Sequence, residues 1–224
     1  MKPALSIIMV GVPGCGKTTV AEEIADRLDC EILSTDIVRK SILNSANMGE
    51  AFFGGPTYVD GKVYRPVVYS EENKRKIYRI VIQRRNDCLR KGRNVILDAQ
   101  SETRKKRRQF DEIEHIVSPV IQYFIQIAVA DMDRIRSRIE MRSRQKNSAS
   151  DADLAVFEAF RKKFESFEGP SVTIRNDTYD IMTADVEAFV LRAFNAGYVS
   201  VHASKVIEPP GRAGGQKPGR DREQ

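Results

Sequence analysis

At 224 residues, with 41% hydrophobic and 30% charged content, the chain suits one α/β domain with insertions and a core of ordinary size. No apolar run reaches the length of a membrane span, and the N-terminus lacks a secretory pattern, so a cytoplasmic protein is expected. A net charge of +6, from 37 basic and 31 acidic residues, suits anionic substrates but does not by itself imply nucleic acid.

The three cysteines, Cys15, Cys30 and Cys88, are odd in number and lack metal-ligand spacing, so reduced thiols are expected. Cys15 stands at a helix start beside Lys17, a setting that can lower a thiol pKa; it is read first as filling a variable loop position, with an alkylation handle as the alternative.

The first predicted strand is Leu5 to Val10. The glycine loop GVPGCGKTT follows, comprising Gly11, Val12, Pro13, Gly14, Cys15, Gly16, Lys17, Thr18 and Thr19. Val20, Ile24 and Leu28 then recur at helical spacing. Strand, glycine loop and helix form the context that G-x-x-x-x-G-K-[ST] requires. The glycines let backbone N–H groups approach phosphate oxygens, and the helix adds its positive dipole end. Lys17 supplies a point charge for the β- and γ-phosphates, and Thr18 a hydroxyl for Mg²⁺. The residues therefore predict a nucleoside triphosphate, ATP by default, with Mg²⁺.

Glu31 to Thr35 is a second predicted strand, and a helix begins after Asp36. A right-handed crossover makes the two strands parallel, so Asp36 reaches the same sheet edge as the glycine loop. Asp36 and Arg39 share a helix face. A carboxylate there suits a base for an attacking hydroxyl, and the arginine an anionic part of the acceptor. The alternative is a helix N-cap beside a surface charge.

Residues 45–69 mix glycine, proline and aromatics and read as an insertion, acceptor-side or merely packed down. Asp60-Gly61 suggests a hairpin between Tyr58-Val59 and Val63-Tyr64. Ser70 to Lys91 is a long helix with a stripe through Ile77, Val81 and Cys88, stopped by Gly92. Asn94 to Ala99 is a buried strand whose Asp98 has the Walker-B position for holding Mg²⁺ or its water. The basic run Arg104 to Arg108 is open to two readings, polynucleotide phosphates or a solvated face.

Val120 to Ile127 is a fourth strand. A helix over Asp131 to Gln145 follows, with Met132, Ile135 and Ile139 inward and Arg134, Arg138 and Arg142 in line. Such a line suits a lid that closes over phosphates, or a solvated arginine face. Ser150 to Asp153 resembles a capping box for a helix bearing Leu154, Phe157 and Phe164. Val172 to Asn176 is a fifth strand, Thr183 is expected to cap a last helix, and 205–224 read as a disordered tail. This gives one domain over 1–204, with the 45–69 insertion and a lid region at 131–167.

The segments GVPGCGKTT, STDIVRK, NVILDAQSETRKKRR, RSRIEMR and SASDADLAVFEAF resemble the P-loop kinases of the polynucleotide-kinase and zeta-toxin type, including the broad group of kinase-like ATP-binding domains. The resemblance implies a three-layer α/β/α P-loop NTPase fold with a parallel five-stranded sheet of order 2-3-1-4-5 and a helical lid. It implies nucleotide and Mg²⁺ roles for Lys17 and Thr18, and Asp36 as the carboxylate that activates the acceptor hydroxyl. Arg39 would bind the acceptor, Asp98 is the third-strand aspartate, and Arg138 and Arg142 are the lid arginines. The third strand ends DAQSETR where relatives often read DATN, so Gln100 and Ser101 are expected to alter acceptor contacts and no acceptor identity transfers.

The leading expectation is an ATP-dependent kinase acting on a small-molecule hydroxyl. A 5′-hydroxyl polynucleotide kinase is the alternative within the class. A nucleotide-binding ATPase switch without a phosphorylated product is the alternative outside it, although no Asn-Lys-x-Asp guanine motif is present.

Overall fold

The computed structural model describes residues 3–45, 48–53, 57–59, 62–64, 70–99, 101–110, 119–144, 154–165, 167 and 171–196. Five strands form one parallel sheet: β1 (Ala4–Val10), β2 (Cys30–Ser34), β5 (Asn94–Asp98), β6 (Val120–Ala128) and β7 (Val172–Arg175). Their spatial order is β2-β5-β1-β6-β7, which is 2-3-1-4-5 when only these strands are counted. Two short strands, β3 (Thr57–Val59) and β4 (Lys62–Tyr64), pair antiparallel as a separate ladder in the insertion. The expected hairpin is therefore present, while its Asp60-Gly61 turn lies outside the described residues.

All seven residues of β1 are buried, because a central parallel strand needs both faces covered. Its alternation divides the core. Leu5, Ile7 and Met9 pack with Val20, Ile24 and Leu28 of α1 (Lys17–Leu28) and with Val186 and Phe189 of α8 (Tyr179–Asn195). Ala4 and Ile8 face the other way, toward Val38 and Ile42 of α2 (Thr35–Leu43) and Ile77 and Val81 of α4 (Glu71–Arg90). Each such aliphatic side chain, fully buried, contributes about 1.5–3 kcal/mol by removal from water.

The register brings the C-terminal strand ends to one edge. Ser34 pairs with Asp98 across β2 and β5, Ile8 with Leu97 across β1 and β5, and Ala128 with Arg175 across β6 and β7. Parallel sheets of this kind bind ligands at that edge.

Several local expectations shift. The insertion contains a short helix, α3 (Met48–Phe53), that the sequence pattern did not signal. In α6 (Met132–Ser143), Ile135 and Ile139 are buried as expected, but Met132 is exposed. The last helix is capped by Thr178, whose hydroxyl accepts from Ile181 N–H, so it begins a turn before Thr183. Thr183 instead sits inside α8 and donates to the Tyr179 carbonyl at 2.9 Å. The proposed capping box at 150–153 and the 205–224 tail lie outside the described residues.

Candidate active site

The loop between β1 and α1 is shaped by two left-handed glycines, Gly14 at φ 82° and Gly16 at φ 93°. Neither has room for a side chain. A Cβ on Gly14 would lie 2.8 Å from Ile139 Cγ1, and one on Gly16 would lie 2.0 Å from Asn176 Nδ2. The loop is thus clasped between α6 on one side and the residue after β7 on the other.

Lys17 curls back over this loop, its Nζ donating to the carbonyls of Gly11 at 3.0 Å and Val12 at 3.1 Å. Thr18 and Thr19 are exposed, and the Thr18 hydroxyl donates to Asp98 Oδ2 at 2.7 Å. Pro13 and Cys15 are buried, and Val12 packs against the core beneath. The Cys15 thiol follows the filling reading. Full burial pushes its pKa up, and this desolvation outweighs the lowering pull of Lys17. Cys15 is core filling and not a reactive handle.

Asp36 occupies the second position of α2. The helix is capped by Ser34, whose hydroxyl accepts from Ile37 N–H, so Asp36 is not the N-cap. Asp36 Oδ1 accepts from Arg39 Nη1 at 2.7 Å. The Arg39 side chain is 10% exposed and that of Asp36 25%, which sets the pair apart from a solvated surface bridge.

Asp36, Asp98 and Glu102 all act on Tyr78. Burial is the main force pushing the Tyr78 hydroxyl pKa up, and the fields of Glu102, Asp36, Glu71 and Asp98 add to it.

On the opposite side, Arg138 of α6 donates through Nη2 to the Asn176 carbonyl at 2.9 Å. Its Nη1 is buried with no partner among the described residues, and it lies 3.9 Å from where a Gly16 Cβ would be. A buried guanidinium nitrogen left open beside a phosphate loop is a donor matched to an anionic oxygen. Arg142, one turn along, is half-buried, and Arg134 is exposed.

Three site-edge residues escaped the sequence reading or changed role. Ser101 is buried and donates to the Met9 carbonyl at 3.3 Å, so it braces β1. Gln100 lies outside the described residues. Glu102 is buried, pairs with Lys106, and keeps Oε2 without a hydrogen-bond partner among the described residues. Asn176 donates through Nδ2 to the Cys15 carbonyl at 2.8 Å. A polar residue closing a strand was the signal that marked Asp98, and applied to Val172–Asn176 it would have marked Asn176.

The basic run forms α5 (Arg104–Arg108), capped by Thr103, and its residues divide by role. Lys106 is held by Glu102, and Arg107 is buried, donating to the carbonyls of Ser101 at 2.8 Å and Glu165 at 3.0 Å. Arg104, Lys105 and Arg108 remain exposed.

Magnesium would fit the Thr18–Asp98 pair. A hydroxyl and a carboxylate oxygen converging within 2.7 Å are hard oxygen donors of the kind Mg²⁺ takes alongside water and phosphate.

A family model described as AAA domain matches residues 7–167, from β1 to beyond α7 (Leu154–Lys163). The chain belongs to that family. It is similar to adenylate kinase from Mycoplasma mycoides subsp. mycoides SC, 25% identical over 142 residues, covering 60% of this chain and 59% of the relative. The chain thus spans about three fifths of the curated relatives it matches. Among solved structures it is similar to a sugar kinase from Janibacter sp. HTCC2649, with a TM-score of 0.58 and 18% identity, covering 89% of this chain and all (100%) of that one. It is also similar to Kti12 from Chaetomium thermophilum in complex with ADP-AlF3, with a TM-score of 0.59 and 16% identity, covering 87% and 100%. At these identities the structural likeness is one of fold, and the fold is a three-layer α/β/α P-loop arrangement.

Proposed function

We propose that the protein is an ATP-dependent kinase that transfers the γ-phosphoryl group to a hydroxyl of a small-molecule acceptor. The observation that carries this reading is the Asp36–Arg39 pair, on the same sheet edge as the glycine loop and the Thr18–Asp98 pair. A nucleotide-dependent switch needs the loop and the metal residues. A carboxylate–arginine pair beside them adds what an acceptor hydroxyl needs, a proton acceptor and an anchor.

In this mechanism Lys17 leaves the Gly11 and Val12 carbonyls for the β- and γ-phosphates. Mg²⁺ held by Thr18 and Asp98 would neutralise phosphate charge. Asp36 accepts the proton of the attacking hydroxyl, and Arg39 steadies both Asp36 and the acceptor. Arg138, with Arg142 behind it, turns its open nitrogen to the transferring group, where fixed cations stabilise charge spread over the equatorial oxygens. Adenylate kinase and sugar kinase, by their names, phosphorylate different acceptors, so the relatives support the reaction class and leave the acceptor to experiment. The test is a screen for labelled γ-phosphate transfer over nucleosides, sugars, antibiotics and short oligonucleotides, with Asp36→Asn as control. Stimulated ATP hydrolysis with no labelled acceptor in any arm would favour an ATPase switch instead.

One observation favours a polynucleotide acceptor as the second reading. A cleft of about 450 Å³ along α4 is lined by Arg75, Tyr78, Arg79 and Arg90, with Gln109, just past α5, at its side. It meets, at Gln109, a second cleft of about 620 Å³ lined by Arg104, Lys105 and Arg108. A salt titration of single-strand binding decides between the readings: a steep slope supports the polynucleotide, and none the small molecule.

A further inference from the structure

The phosphate loop works only if its N–H groups face the phosphates, yet its glycines oppose no rotation of the peptide planes between them. The Cys15–Gly16 peptide is the exposed case. Gly14 and Gly16 flank Cys15 with φ of 82° and 93°, so glycine freedom lies on both sides of it. A trans peptide holds its N–H antiparallel to its C=O. Whatever fixes the Cys15 carbonyl therefore also fixes the direction of the Gly16 N–H.

We infer that Asn176 is a positioning residue that locks this peptide. Its carboxamide donates to the Cys15 carbonyl at 2.8 Å and fills the space where a Gly16 side chain would stand. The Gly16 N–H is thereby turned away from Asn176, and among the described residues no group accepts it. Asn176 is itself held on both sides of its side chain. Its N–H donates to the Ala128 carbonyl at 2.8 Å at the end of β6, and its carbonyl accepts from Arg138 Nη2 at 2.9 Å. The next residue, Asp177, accepts from Ala130 N–H at 2.8 Å and ties the same turn to the approach to α6. Asn176 is 8% exposed, so the carboxamide works away from competing water.

One residue therefore joins the loop peptide, the end of β6 and the α6 arginine. The donor on Nδ2 is what the lock requires. An aspartate of the same shape would set a carboxylate against a carbonyl, and an alanine would leave the peptide free to turn.

The inference rests on the reading of Gly11–Thr19 as a triphosphate site. Its experiment measures binding of MgATP and of inorganic pyrophosphate by calorimetry to wild type, Asn176→Asp and Asn176→Ala, together with the ¹⁵N–¹H resonance of Gly16. Wild type should bind both probes and shift its Gly16 amide on binding. Both variants should bind at least 10-fold more weakly, with the Gly16 shift lost or broadened, while melting cooperatively. Asn176→Ala keeps the test open if Asn176→Asp fails to fold. Variants that bind within twofold of wild type with the Gly16 shift intact would overturn the lock. Variants that weaken binding while keeping that shift would also overturn it, since Asn176 would then be only a structural tie. A wild type that binds neither probe would overturn the triphosphate reading and the lock with it.

Discussion

The Thr18 hydroxyl donates to the Asp98 carboxylate at 2.7 Å across 80 residues of chain. The two come together because β1 and β5 are neighbours and their ends lie level, with Ile8 opposite Leu97. If the pair holds Mg²⁺ as proposed, Asp98→Asn leaves a neutral oxygen where the ion needs charge. Half-saturating Mg²⁺ should rise by about 10–100-fold, the range seen when partners of a metal site are lost. A Mg²⁺ titration of turnover checks this, and an unchanged profile would reduce the pair to a structural hydrogen bond.

In the proposed mechanism Asp36→Asn removes the proton acceptor but keeps the shape and a bond to Arg39. Turnover should fall by about 10²–10⁴-fold, the usual worth of a general base, with ATP affinity within a factor of two. Lys17→Ala should do the reverse in emphasis, weakening ATP binding itself. Steady-state kinetics beside direct binding separates the two effects. Turnover by Asp36→Asn at the wild-type rate would remove Asp36 from the chemistry.

Much of this arrangement was legible in the sequence, for a physical reason. Strands such as Leu5–Val10 and Asn94–Asp98 are short apolar runs ended by a loop or a carboxylate, and the crossover rule then sends all their ends to one edge. That rule alone places Asp36 and Asp98 near the loop. The missing pieces depend on tertiary contact. Burial of Arg107 under Glu165 and Phe167 has no local signature, because the partners lie some sixty residues further on. The direction of the Cys15 shift depended on whether the side chain pointed into the core or the solvent, and spacing is silent on that. Asn176 was seen only as the end of a strand, since its partner is a backbone carbonyl and leaves no pattern of residue types.

Gly92 offers a clean stability test. It ends α4 with φ 69°, and a Cβ built there meets nothing within 4 Å. Gly92→Ala therefore carries only the left-handed backbone penalty, about 1–2 kcal/mol. Gly92→Asn should cost less, because asparagine tolerates this conformation. Urea unfolding of the three proteins measures it, and an alanine variant as stable as wild type would contradict the assigned helix end.

The acid side of the stability profile should depend on Asp185. Its carboxylate accepts from Arg175 at Nη2 (2.7 Å), Nε (2.9 Å) and the backbone N–H (2.8 Å), joining α8 to β7 one residue before Asn176. The hydrogen bonds and charge of Arg175 hold the Asp185 pKa below its ordinary value, against a smaller upward push from burial. A carboxyl with a depressed folded pKa binds more protons in the unfolded state. Its stabilisation is therefore fully present above the unfolded pKa, about 3.9, and is lost as pH falls from there through the lower folded value. Asp185→Asn should be less stable than wild type at pH 6, and the gap should shrink steadily below about pH 4. Urea midpoints of both proteins from pH 6 to pH 3 test this directly. A gap of constant size across that range would mean that the ionised carboxylate contributes nothing to holding β7 in place.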